Sequence, residues 1–173
     1  MAKLEDCIEY VFRNEGGFVI DNGGPTKFGC TLKVISEFRD APVTEQEVRD
    51  LTKEEATEIY RHLYWDKIGL EHITNDAIAT CLLDVAINRG PSIAVKYAQR
   101  VLMALKGHLD VDGIIGPRTM AFINSVDPES FIRSYVVIAL AGYNLILRNK
   151  PELRIYLKGW RNRANRLLTL IQS

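Results

Sequence analysis

The segment Asn75–Arg89, NDAIATCLLDVAINR, constrains the fold more than any other part of the chain. It is apolar on almost every side, with Asp84 in its midst. A helix that is hydrophobic all round must be enclosed by other elements, so this one is expected at the centre with the rest of the chain wrapped around it. Gly90 and Pro91 end it, and a second helical pattern runs from Ser92 to Lys106. At 173 residues the chain suffices for one domain with a sizeable core.

The flanking segments also read as helices. Lys3–Arg13 places Leu4, Ile8, Val11 and Phe12 on one face, the spacing of an amphipathic helix. Residues 17–30 are rich in turn formers and read as a hairpin or loop, with Phe18, Val19 and Ile20 able to form a short strand. A helical pattern resumes over Thr31–Phe38. Thr44 and Thr52 each stand three residues before a glutamate (Glu47, Glu55), the spacing of a capping box, so helices are expected to start near both. Asp112-Gly113 reads as a turn, and Gly116-Pro117 as a helix start, because proline suits the first helical turn. Two long helices are expected near Glu129–Arg148 and Glu152–Ile171, split by Pro151. The uncharged run Ser134–Leu147 falls short of the ~20 residues that span a bilayer and reads as a buried helix. The expected fold is mainly α: one domain over residues 1–173, with a catalytic half (1–90) and a C-terminal helical half (91–173).

Formal charge sums to zero, with 22 basic and 22 acidic side chains, which argues against a dedicated nucleic-acid binder. The distribution is uneven. Residues 1–75 hold fifteen acidic against nine basic residues, whereas residues 148–173 hold seven basic residues against Glu152 alone. The three cysteines, Cys7, Cys30 and Cys81, have no framework spacing and read as reduced thiols of a protein made in a cytosol. The acidic N-terminus lacks the pattern of a signal peptide. His62, His72 and His108 show no metal-ligand spacing, and neither a metal nor a cofactor is expected.

The chemistry concentrates in Asn14–Leu32, NEGGFVIDNGGPTKFGCTL. Glu15 ends the first amphipathic segment beside a Gly-Gly pair. Asp21, the second pair Gly23-Gly24 and Thr26 follow. Glycines let the backbone turn tightly and let a ligand approach it, and a carboxylic acid beside such a loop is a candidate general acid. Glycoside hydrolysis needs a proton donor on one side of the bond and a carboxylate or a held water on the other. Glu15, Asp21 and Thr26 are the candidates, although Asp-Asn-Gly-Gly is equally good turn chemistry for Asp21.

These residues resemble the N-terminal signature of the glycoside hydrolase family 108 muramidases, phage and bacterial lysozymes with a Glu-Gly-Gly start. The likeness continues through EIYRHLYWD (Glu58–Asp66), LLDVAINRGPSIAVKYAQRVL (Leu82–Leu102), VDGIIGPRT (Val111–Thr119) and KGWRNRANRL (Lys158–Leu167). The resemblance implies a lysozyme-like α fold in which Glu15 is the catalytic acid. It implies cleavage of the β-1,4 bond between N-acetylmuramic acid and N-acetylglucosamine in peptidoglycan. One departure stands out: the loop between the two Gly-Gly pairs is trimmed to Phe18–Asn22 and keeps one acidic residue, Asp21. Thr26 is then the alternative for positioning water. The VDGIIGPRT segment also resembles the turn-and-helix element of small peptidoglycan-binding modules, and otherwise reads as a well-made helix–loop–helix.

Three further positions carry two readings each. Asp84, with Asn88 one turn later, lies either on the floor of a sugar-binding cleft or in a satisfied buried pair with an arginine or a helix N-terminus. Tyr64 is either a core aromatic, as is Trp65, or lines the cleft against a sugar ring. The basic terminal helix is either a solvated face or a contact with anionic envelope polymers or lipids, helped by Trp160, Leu167, Leu168 and Leu170. As an endolysin the chain would be a monomer that collects in the host cytoplasm, reaching wall glycan strands after release by a holin. The rival readings are a lytic transglycosylase, a secretion-linked bacterial muramidase and a non-catalytic wall-binding protein.

Overall fold

A computed structural model describes residues 1–14, 17–21 and 24–171, and only the backbone of Asn14 and Asp21. The order begins with α1 (Leu4–Asn14), the strands β1 (Val19–Asp21), β2 (Gly24–Lys27) and β3 (Cys30–Thr31), and the helices α2 (Leu32–Arg39) and α3 (Glu45–Asp50). Then α4 (Lys53–Tyr60) runs through a π turn (Arg61–Trp65) into α5 (Asp66–Ile68) and a 3-10 turn (Leu70–His72). The remaining helices are α6 (Asp76–Arg89), α7 (Pro91–Lys106), α8 (Pro117–Ile123), α9 (Pro128–Asn149) and α10 (Leu157–Arg166). Two 3-10 turns, Pro151–Tyr156 and Leu167–Ile171, flank α10. The mainly α reading holds.

At the centre is α6, packed against α1, α7 and α9. Asn75 caps it by accepting the Ile78 N–H at 3.0 Å, and every residue from Ile78 to Ala86 is buried. Each such aliphatic side chain contributes about 1.5–3 kcal/mol by leaving water. Gly90, at φ +90°, turns the chain in a conformation that costs a side chain dearly. Pro91 then opens α7 as its first residue.

Local caps account for the other starts. Thr44 closes a full capping box with Glu47, and Thr52 accepts from the Glu55 N–H at 3.1 Å. Pro117 starts α8 as expected. The glycine-rich segment forms a three-stranded antiparallel sheet in the order β1-β2-β3, with Val19 opposite Thr26 and Thr26 opposite Thr31.

Two expectations are corrected. Glu152–Ile171 is not one long helix: only Leu157–Arg166 is α-helical, and tight turns on both sides follow the surface of α9. The Ser134–Leu147 run is not enclosed on all sides. By length and composition α9 could cross a membrane, with a mean hydropathy of 1.5. It buries one face (Phe131, Ile132, Tyr135, Val136, Ala139, Tyr143) and leaves Val137 and Leu145 exposed at 64% and 58%.

Candidate active site

Four aromatic rings lead from the hairpin to the α6–α7 turn. Phe12, in the last turn of α1, lies 5.6 Å from Phe28 and 6.2 Å from Tyr60, and Tyr60 lies 5.8 Å from Tyr64. Such tilted pairs each add about 0.5–1.5 kcal/mol beyond burial. The row fixes the end of α1 and the hairpin against α4. Tyr60 also donates its hydroxyl to the Phe28 carbonyl at 2.8 Å. That bond holds the β2–β3 turn, where Phe28 (φ +51°) and Gly29 (φ +78°) both occupy the left-handed region. On the other side of the hairpin, Lys27 Nζ donates to the Arg49 carbonyl at 2.6 Å. The Arg49 guanidinium covers the Phe18 ring at 4.0 Å, a cation–π contact.

Of the expected catalytic residues, Glu15 lies outside the described residues. It follows Asn14, the last residue of α1, in the sequence. The backbone of Asp21 ends β1 opposite Gly24, the place of a turn residue, and its carboxyl lies outside the description. Thr26 sits half-exposed in the central strand β2, and its hydroxyl has no partner among the described residues. Tyr64 is half-buried, with burial pushing its hydroxyl up to about 12. It lines a cavity of about 200 Å³ with Glu37, Lys67, Ile87, Gly90 and Pro91, which joins the aromatic row to the α6–α7 turn.

Asp84 and Asn88 point elsewhere. Asp84 is buried against Arg163 of α10, with Arg163 Nε donating to its Oδ2 at 3.0 Å. Asn88 accepts the Tyr143 hydroxyl at 2.8 Å. Both therefore join α6 to the C-terminal helices, and neither lines the Tyr64 cavity. The alternative of a satisfied buried pair describes Asp84, whereas Asn88 stays half-buried beside Tyr143. Arg163 is likewise withdrawn from the basic face, and Leu167 is buried rather than offered to a lipid surface.

The DGxxGP segment is held by a buried clamp. Gln99 of α7 donates to Asp112 Oδ1 at 2.7 Å and to the Ile114 carbonyl at 2.9 Å, and accepts the Gly113 N–H at 2.8 Å. No sequence motif pointed to Gln99, nor to the Tyr60–Phe28 tie. The three cysteines are buried thiols. Among the described residues no group of three or more His, Cys, Asp or Glu could hold a metal ion.

Residues 8–90, which build α1, the sheet and the helices through α6, match the family model of glycosyl hydrolase 108. Residues 93–165, from α7 into α10, match that of a predicted peptidoglycan domain. The chain is 32% identical to SagA of Brucella abortus, whose solved structure superposes with a TM-score of 0.81 over 96% of this chain and 91% of that one. The chain belongs to the glycosyl hydrolase 108 family. No curated protein matches it significantly. As a family 108 member it is a glycoside hydrolase acting on peptidoglycan. The hydrolase segment ends at the α6–α7 turn, where the Tyr64 cavity also lies.

Proposed function

We propose that this hydrolase cleaves the β-1,4 bond between N-acetylmuramic acid and N-acetylglucosamine, with Glu15 as the general acid. The observation that carries the reading is the family match over residues 8–90, which contains the Glu-Gly-Gly motif between α1 and the hairpin. In this mechanism the Glu15 carboxyl protonates the glycosidic oxygen. As the C1–O bond breaks, positive charge develops on the sugar ring, and water or a carboxylate meets it from the other face. The hydroxyl of Thr26 on β2 is suited to position that water, and Asp21 to stabilise the developing cation. Tyr64, at the far end of the aromatic row, offers a ring face to a sugar.

The biological setting proposed is lysis of a bacterial host, with holin-dependent release to the wall. Contact with anionic envelope polymers is assigned to a groove of about 370 Å³ between α9 and α10, where Arg148, Arg154 and Arg161 converge. None of the three has a carboxylate partner among the described residues. Binding through it would weaken steeply with salt.

The test is mass spectrometry of peptidoglycan digested by the protein and by Glu15→Gln in parallel. Reducing muropeptides ending in N-acetylmuramic acid, lost in the variant, are expected. Products ending in 1,6-anhydro sugar would make the protein a transglycosylase, and cleavage by Glu15→Gln would remove Glu15 from the mechanism.

A further inference from the structure

The last residue of α6, Arg89, has a guanidinium nitrogen, Nη1, that is shielded from solvent and finds no hydrogen-bond partner among the described residues. Its guanidinium carbon stands 5.6 Å from the centroid of the Tyr143 ring, a contact that offsets part of the cost of burying the cation but satisfies no N–H. A shielded donor without an acceptor is costly, and Arg89 Nη1 is one of two such side-chain atoms among the described residues, with Glu71 Oε2. Arg89 opens onto a cavity of about 480 Å³ between α7 and α9, lined also by Ile93, Tyr97, Arg100, Leu145 and Asn149. That volume suits a small ligand.

The lining charge is of one sign. No acidic residue occurs in α7, and α9 has only Glu129, in its first turn, where it is bound to Arg133 at 2.7 Å. Arg100 is exposed and makes no ion pair among the described residues. The site therefore combines two uncommitted guanidinium groups with aliphatic walls, and its ligand must combine carboxylates with small apolar groups. The peptide stem of peptidoglycan, in which alanines flank two adjacent amino acids bearing free carboxylates, has that chemistry.

We infer that the cavity between α7 and α9 takes the stem peptide of the substrate, with its carboxylates on Arg89 and Arg100 and its methyl groups against Ile93 and Leu145. The assignment rests on the reading of the chain as a peptidoglycan hydrolase. It also explains the arrangement around the α6–α7 turn. Gly90 and Pro91 line the Tyr64 cavity on one side of this turn, while Arg89 and Ile93 line the second cavity on the other. A glycan strand on the Tyr64 side can pass its peptide over the turn into the arginine side.

The full chain is titrated with synthetic L-Ala-γ-D-Glu-meso-diaminopimelyl-D-Ala, and with the same peptide after amidation of its carboxylates, following the backbone amides of Gly142 and Asn149 by NMR. Saturable shifts are expected with the acidic peptide, and binding at least about tenfold weaker with the amidated one. Arg89→Gln and Arg100→Gln should each remove about tenfold from the acidic peptide alone. Arg100 is exposed, so its variant decides the matter if Arg89→Gln does not fold. Equal binding of the two peptides overturns the assignment. So does a response of these amides to anionic vesicles, or to protein concentration, without a response to peptide. In parallel, wild-type protein digests intact strands and strands stripped of peptide by an amidase. Faster cleavage of the intact strands, with the preference reduced in Arg100→Gln, supports the assignment, and equal rates oppose it. Cleavage of neither strand type counts against the hydrolase reading, and the peptide titration then decides this assignment by itself.

Discussion

Arg163 clasps Asp84 with the Nε–Nη2 edge of its guanidinium. Nε reaches Oδ2 and Nη2 reaches Oδ1, each at 3.0 Å, and Nη2 also donates to the Asp84 backbone carbonyl at 3.4 Å. The side chains are 14% and 3% exposed. The two residues are 79 positions apart, Asp84 in the hydrolase segment and Arg163 in the peptidoglycan-domain segment, so the pair fastens one to the other.

Breaking that pair from either side leaves a buried charge. Asp84→Ala and Arg163→Ala should each lower the unfolding free energy by about 3–5 kcal/mol. Replacing both with leucine should recover much of the loss, since the apolar pair leaves no charge behind. Urea unfolding of the three variants measures this, and small additive losses would mean that the pair is not the fastener described.

Removing the Gln99 amide takes three hydrogen bonds from the DGxxGP loop at once. Gln99→Leu keeps the bulk but leaves the Gly113 N–H and the Ile114 carbonyl unmet, at a cost of about 2–4 kcal/mol. Hydrogen exchange at Gly113 and Ile114 should rise well before exchange in α6 does.

Gly142 should reverse the usual effect of glycine in a helix. Alanine there ordinarily stabilises by roughly 0.5–1 kcal/mol, but its Cβ would collide with the Tyr97 hydroxyl and stand 2.7 Å from the ring carbon bearing it. Gly142→Ala should therefore destabilise by about 1–3 kcal/mol, the usual cost of overpacking. Combining it with Tyr97→Leu should restore part of the loss in a thermal melt.

Alkaline pH should weaken the fold before Tyr64 or Tyr143 ionises in it. Burial pushes Tyr64 and Tyr143 from an ordinary 10.0 up to about 12, so the folded state keeps protons that the unfolded chain releases. With more protons bound in the folded form, stability falls as pH rises. This contribution is intact below about 10 and is lost progressively between about 10 and 12. Thermal melts at pH 9, 10 and 11, with phenolate absorbance followed alongside, test this. A flat melting temperature over that range would contradict it.

What the sequence revealed was set by local physics. The Thr44–Glu47 box, the Pro117 start and the apolar surround of α6 depend on near neighbours. All were legible. The Glu-Gly-Gly stretch was legible as a motif because glycine spacing is itself the signal. Illegible were the partners chosen across the fold. Nothing near Asp84 in sequence names Arg163, and nothing near Phe28 names Tyr60. The break in the C-terminal helix was hidden for the same reason. Periodicity over Glu152–Ile171 suggested one rod, but packing along α9 bends that segment into two tight turns around a short helix.

Trp160 stacks between Tyr143, at 5.2 Å, and Tyr156, at 6.0 Å, while Trp65 is buried beside the aromatic row. The chain contains two tryptophans, so each family-matched segment carries one fluorophore of its own. Replacing either with phenylalanine isolates the emission of the other. The separation of the arginine-bearing helices from α9 can then be watched independently of the hairpin side, and whether the two segments melt together becomes a question of colour and intensity rather than of calorimetry.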